Sequence, residues 1–166
     1  MRTPPDTSHD ARNAVDRTAP PGAGPKRVWA LPGGPGCAAH ARGVLGDALA
    51  SLGVRPDTVA DARLMVSELA TNAHQHACDY GPHELWLYPA PGELRCAVFD
   101  AYVNARLPGY SWTSGDCGRG LSIVRELSGG RWGMLRTSSR LGSPVQGKAV
   151  WFAVAVPESL VHAASP

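Results

Sequence analysis

The stretch PDTVADARLMVSELATNAHQHAC, from Pro56 to Cys78, constrains this chain more than any other. Val59, Ala62, Val66, Leu69 and Ala73 recur at three-and-four spacing, which predicts an amphipathic helix over residues 57–78. Asp57, after a proline, is the expected cap. A second stripe runs beside the apolar one. Glu68 and Asn72 are four residues apart and so stand one above the other, with Asp61 and Gln75 close to the same line. A carboxylate and an amide at the edge of a buried face can hold a cation or a water between them. The same spacing also fits a solvated polar face, so the rest of the chain has to decide.

The 166 residues suit one domain with tails. Residues 1–25 are rich in Pro, Gly, Thr and Ala, without a period, and read as a disordered N-terminal tail. They contain no apolar run like that of a secretory signal, and no segment approaches the ~20 apolar residues of a membrane span. The expected compartment is the cytoplasm, with no membrane partner. A net charge of +2, dispersed along the chain, gives no electrostatic footprint for nucleic acid. Of the 16 basic residues only Lys26 and Lys148 are lysines. Cys37, Cys78, Cys96 and Cys117 form no C-x-x-C pair. His74 and Cys78 share a helix face, but two ligands do not close a zinc site.

The domain is expected over residues 26–156, with residues 157–166 as a C-terminal tail. A strand at 26–31 is stopped by PGGPG, and an Ala-rich helix at 37–52 ends at Gly53. After the long helix, HELWLY (83–88) and ELRCAVFD (93–100) predict an antiparallel hairpin. A long irregular stretch, 101–117, has the length of a functional loop. Gly118-Arg119-Gly120 opens a helix in which Leu121, Val124 and Leu127 face inward, closed by Gly129-Gly130. Strands at 131–136 and 148–156 complete the chain. The fold class is α+β: a two-layer sandwich of a mostly antiparallel, mixed sheet with helices on one face.

Two glycines at a helix start let backbone N–H groups approach an anion, for which phosphate is the natural ligand. Arg119 either adds a charge-assisted contact or faces solvent. A helix bearing Glu and Asn, a strand ending in Asp, a loop and then G-x-G-L make a more specific order than any one of these. That order resembles the Bergerat (GHKL) nucleotide-binding domain of histidine kinases, Hsp90-type chaperones, type II topoisomerases and MutL. VSELATNAHQHA and GRGLSIVRELSGGRWG resemble most the single-domain anti-sigma factor serine kinases of the SpoIIAB and RsbW type.

The resemblance implies the cofactors ATP and Mg2+. It implies Glu68 as the general base, Asn72 as the magnesium ligand and Asp100 as acceptor for the adenine amino group. Gly118, Arg119, Gly120 and Leu121 would border the phosphates, and residues 101–117 would form a lid. It also implies a serine/threonine kinase acting on a STAS-type anti-anti-sigma protein, with a sigma factor as a further partner and a homodimer as the working form. The chain departs from the pattern at DAYVN (100–104), where the family's D-x-G-x-G glycines are missing. Tyr102 there either stacks on the base or blocks it. Ala149 stands where a threonine is frequent. The alternative is a non-catalytic module that sequesters a sigma factor or STAS partner with little or no use of nucleotide.

Overall fold

A computed structural model describes residues 27–102 and 116–164, with the side chains of 116–119 excepted. The N-terminal tail, most of the lid and the last two residues lie outside the described residues. The elements are β1 (Arg27–Leu31), α1 (Cys37–Ser51), α2 (Pro56–Ala77), β2 (His83–Ala90), β3 (Glu93–Asp100), α3 (Asp116–Leu127), β4 (Trp132–Ser138), β5 (Gln146–Ala155) and α4 (Glu158–Ala163).

The fold is α+β, with a five-stranded sheet in the order β1-β2-β3-β5-β4. All four pairings are antiparallel, so the sheet is not mixed. The reason lies in the last connection. β3 and β4 run the same way, but β5 turns back from β4 and inserts between them, which removes the one parallel contact the order allows.

α2 begins one residue earlier than its expected cap. Arg55 is the N-cap and makes no side-chain capping bond, and Pro56 takes the first position. Proline suits that position because its missing N–H would be unpaired there anyway. Asp57 therefore acts from inside the first turn, on the positive end of the helix dipole. α1 closes at Leu52, and Gly53 follows in the left-handed region at φ +80°. The C-terminal segment, expected as a tail, forms the short helix α4, whose Leu160 packs on the core. Among the described residues no helix is long and apolar enough to cross a membrane.

Strand alternation sorts the sheet into two faces. Leu85 and Leu87 of β2, Leu94, Cys96 and Val98 of β3, and Val150, Phe152 and Val154 of β5 meet Met65, Val66 and Leu69 of α2 and Leu121 and Val124 of α3 in the main core. The opposite face has an apolar cluster of its own, built from Trp86, Ala97, Phe99, Ala149, Trp151 and Ala153. Trp86 and Phe99 stack with ring centroids 5.5 Å apart. Arg95 lies 4.3 Å over the Trp151 ring and Arg140 5.4 Å over Trp86.

The fully buried Glu84 joins this second face to the β4–β5 loop. Its carboxylate accepts hydrogen bonds from Trp86 Nε1 (2.7 Å), Arg140 N (2.9 Å to Oε2) and Leu141 N (2.9 Å). Glu93, also buried, pairs with Arg95 and Arg131.

Candidate functional site

The polar stripe of α2 divides in three dimensions. Asp61 and Gln75, at its ends, are exposed. Glu68 is half-buried and Asn72 is 4% exposed. α3 packs on α2, and its Gly120 lies against the Glu68 carboxylate.

Gly120 leaves room there for the Glu68 carboxylate. A Cβ on Gly120 would lie 2.6 Å from Glu68 Oε2, well inside contact distance. α3 begins at Asp116, so Gly118 lies in its first turn and Gly120 farther along the helix, rather than both preceding it. The role the geometry gives Gly120 is to accommodate the Glu68 carboxylate. Leu121 is buried in the core beside Val124. The side chain of Arg119 lies outside the described residues.

Asn72 Nδ2 is buried without a hydrogen-bond partner among the described residues, as is His74 Nδ1. A buried amide donor left unpaired costs about 1–3 kcal/mol, so Asn72 is poised for a ligand or water. Glu68 and Asn72 together offer oxygen donors suited to a hard cation such as magnesium, which keeps most of its waters and needs few protein ligands. No group of three or more His, Cys, Asp or Glu side chains converges on a metal position among the described residues.

Asp100 ends β3, on the same sheet face as Leu94, Cys96 and Val98. Its carboxylate is not open. Lys148, directly opposite in the β3–β5 register, donates from Nζ to Oδ1 at 2.8 Å and Oδ2 at 2.6 Å. The backbone N–H of Tyr102 donates to Oδ1 at 3.0 Å, a short-range turn bond from residue i+2. Both charged side chains are almost wholly buried, at 4% and 2% exposure for Lys148 and Asp100.

Two aromatic rings flank the pair. Tyr102 lies 4.7 Å from Tyr80, edge to face, with Lys148 Nζ 5.7 Å from the Tyr102 ring. The Tyr80 carbonyl accepts the Ala101 N–H at 2.8 Å and so ties the end of α2 to the end of β3. His83 Nε2 lies 2.8 Å from the Ala77 carbonyl; a carbonyl can only accept, so Nε2 carries the proton. Gly147 is a glycine because a Cβ there would overlap the Asp100 carbonyl oxygen, with Phe99 Cζ at 2.6 Å and Ala101 Cα at 2.8 Å.

Glu68 and Gly120 meet where α3 packs on α2, Asn72 is buried four residues further along α2, and the Asp100 carboxylate is taken up by its pairing with Lys148. Tyr80, Gly147 and Lys148 escaped the sequence reading. Lys148 is placed opposite Asp100 only by the long-range pairing of β3 with β5.

Of the cysteines, Cys37 and Cys96 are buried and burial pushes both thiols up, whereas Cys78 is exposed. No family model matches the chain, and no curated protein matches it.

Proposed function

We propose that this chain is a regulatory nucleotide-binding domain that uses Mg-ATP to phosphorylate a serine or threonine of a small STAS-type partner in the control of a sigma factor. The observation that carries this reading is the Glu68/Asn72 pair, with Glu68 half-buried against Gly120 of α3 and Asn72 buried with Nδ2 unpaired among the described residues. Glu68 keeps a partly exposed carboxylate beside the start of α3, where it would accept the proton of an incoming hydroxyl. Asn72 would offer its amide oxygen to magnesium, whose charge would offset that of the nucleotide phosphates. The first turn of α3, with Gly118 and Arg119, is a helix N-terminus, whose N–H groups lack intrahelical partners and whose dipole end is positive, which suits phosphates.

Labelled ATP incubated with candidate STAS proteins tests the proposal. Glu68→Gln should abolish transfer and leave nucleotide binding within a few-fold, while Asn72→Ala should remove its magnesium dependence. Transfer that survives Glu68→Gln would sink the assignment of the base.

The Asp100–Lys148 pair favours a second reading, because it closes the carboxylate that a base would use. In that reading the chain sequesters a sigma factor or STAS protein and nucleotide plays no part. Calorimetry with ATP and magnesium separates the two: heat that depends on both belongs to the first. Full partner control by Glu68→Gln without nucleotide binding belongs to the second.

A further inference from the structure

We propose that residues 20–25 of this chain, PPGAGP, dock in extended form on the aromatic face of the sheet. Cross-strand register puts Val28, Trp86, Ala97, Trp151 and Gly133 in one row across all five strands. Side chains in one such row point to the same side of the sheet. Two tryptophans thus stand with a single alanine between them, and the row falls away to glycine at the β4 edge. The rows on either side add Tyr88 and Ala153, and Phe99 and Ala149. Neighbouring strands are about 4.8 Å apart, so the two tryptophan positions are about 10 Å apart over a floor of small residues.

Every helical residue in the two apolar clusters belongs to the other face. Yet Trp86 is 2% exposed and Trp151 7% within a single chain. Burial of that depth favours cover by the chain itself over cover by a second copy. The segment before β1 has the chemistry for it. Stiff, extended proline segments fit aromatic-lined grooves because they lose little freedom on docking. Residues 18–25, TAPPGAGP, hold no charged side chain that docking would desolvate. β1 is the edge strand beside β2, and its Val28 packs against the aromatic cluster. The reach also matches. At about 3.1 Å per residue, Pro25 stands about 6 Å before Arg27 and Pro21 about 19 Å. From β1, Trp86 is one strand away, about 5 Å, and Trp151 three strands, about 14 Å. Pro25 can therefore meet Trp86 while Pro21 meets Trp151.

Nuclear magnetic resonance on the full chain tests this. Overhauser contacts are expected between ring protons of Pro21 or Pro25 and the indoles of Trp86 or Trp151, unchanged on tenfold dilution. Pro20→Gly, Pro21→Gly and Pro25→Gly together alter no residue of the sheet. They should make the Trp86 and Trp151 indole signals at least threefold more sensitive to broadening by a soluble gadolinium chelate, with Trp132 on the other face unchanged. Absence of the contacts in the unaltered chain would overturn the proposal. So would a variant whose two indoles keep their protection, or contacts that vanish on dilution and so belong to a second copy. If the variant does not fold, the contacts in the unaltered chain decide alone.

Discussion

Gly120→Ala separates what the fold needs from what the site needs. The added Cβ would lie 2.6 Å from Glu68 Oε2 but 3.6 Å from Glu68 Cβ and Cδ, which are ordinary contacts. Only the carboxylate end has to move, and a glutamate can swing that oxygen by about 1 Å through its outer torsions at little cost. The backbones of α2 and α3 need not separate. Gly120 lies within the helical span of α3, and alanine there gains about 1 kcal/mol of helix propensity over glycine. The net expectation is unchanged or slightly raised stability, with Tm moving by no more than roughly 4 °C. A displacement of about 1 Å at a catalytic group costs on the order of 10²-fold in rate. On the proposed function, phosphoryl transfer to a STAS partner should therefore fall about a hundredfold while thermal unfolding stays cooperative. Two results refute the reasoning. A variant that unfolds would mean the helices cannot tolerate the methyl group. A variant with undiminished transfer would mean the position of the Glu68 carboxylate does not matter.

Other substitutions test the frame around the site. Gly147→Ala meets backbone rather than a flexible side chain and should cost about 3 kcal/mol or more, read as a large drop in urea midpoint. Glu84→Gln replaces one acceptor oxygen with a donor facing the Trp86, Arg140 and Leu141 N–H groups. It should cost about 2 kcal/mol and speed tryptic cleavage after Arg140, because the β4–β5 loop loses its anchor. Cys96 supplies a pH test. Burial raises its thiol above the ordinary cysteine value of 9.0, so above pH 9 the unfolded chain releases a proton that the folded chain keeps. Stability then falls as pH rises. Cys96→Ala should flatten the alkaline limb by up to about 1.4 kcal/mol per pH unit. Equal slopes for the two proteins would contradict that account.

Much of the architecture was legible because the chain repeats its periods cleanly. α2 follows from apolar spacing alone, and the β2–β3 hairpin from alternation around a Pro-Gly turn. α4 was not legible, since the six residues of ESLVHA are too few to show a period. The second apolar face was missed for a different reason. Alternation in HELWLY shows that successive residues face opposite ways. It does not show that Glu84 will be satisfied internally and Trp86 covered. The stripe on α2 was legible as a line of four polar residues, but only tertiary packing distinguishes its buried middle from its wet ends. Asp100 was legible as a carboxylate at a strand end. Its partner required the β3–β5 register, a long-range fact that no local pattern contains.

That register bears on how any ligand would gain affinity here. Removing one partner from a buried ion pair costs about 3–5 kcal/mol, because the other charge is left unpaired. A base that displaced Lys148 from Asp100 would have to offset most of that, a penalty of roughly two to four powers of ten in Kd. Asn72 presents the opposite situation: its buried Nδ2 is unpaired among the described residues, so a ligand that brings an acceptor oxygen there relieves a cost instead of creating one. Binding energy should therefore come from the side of the site formed by α2 and α3, and the sheet end should contribute little beyond stacking on Tyr80 and Tyr102. The consequence is measurable. Inorganic triphosphate with magnesium should compete with ATP at a concentration close to that of unlabelled ATP itself. A competitor lacking the phosphates, such as adenosine, should hardly compete at all.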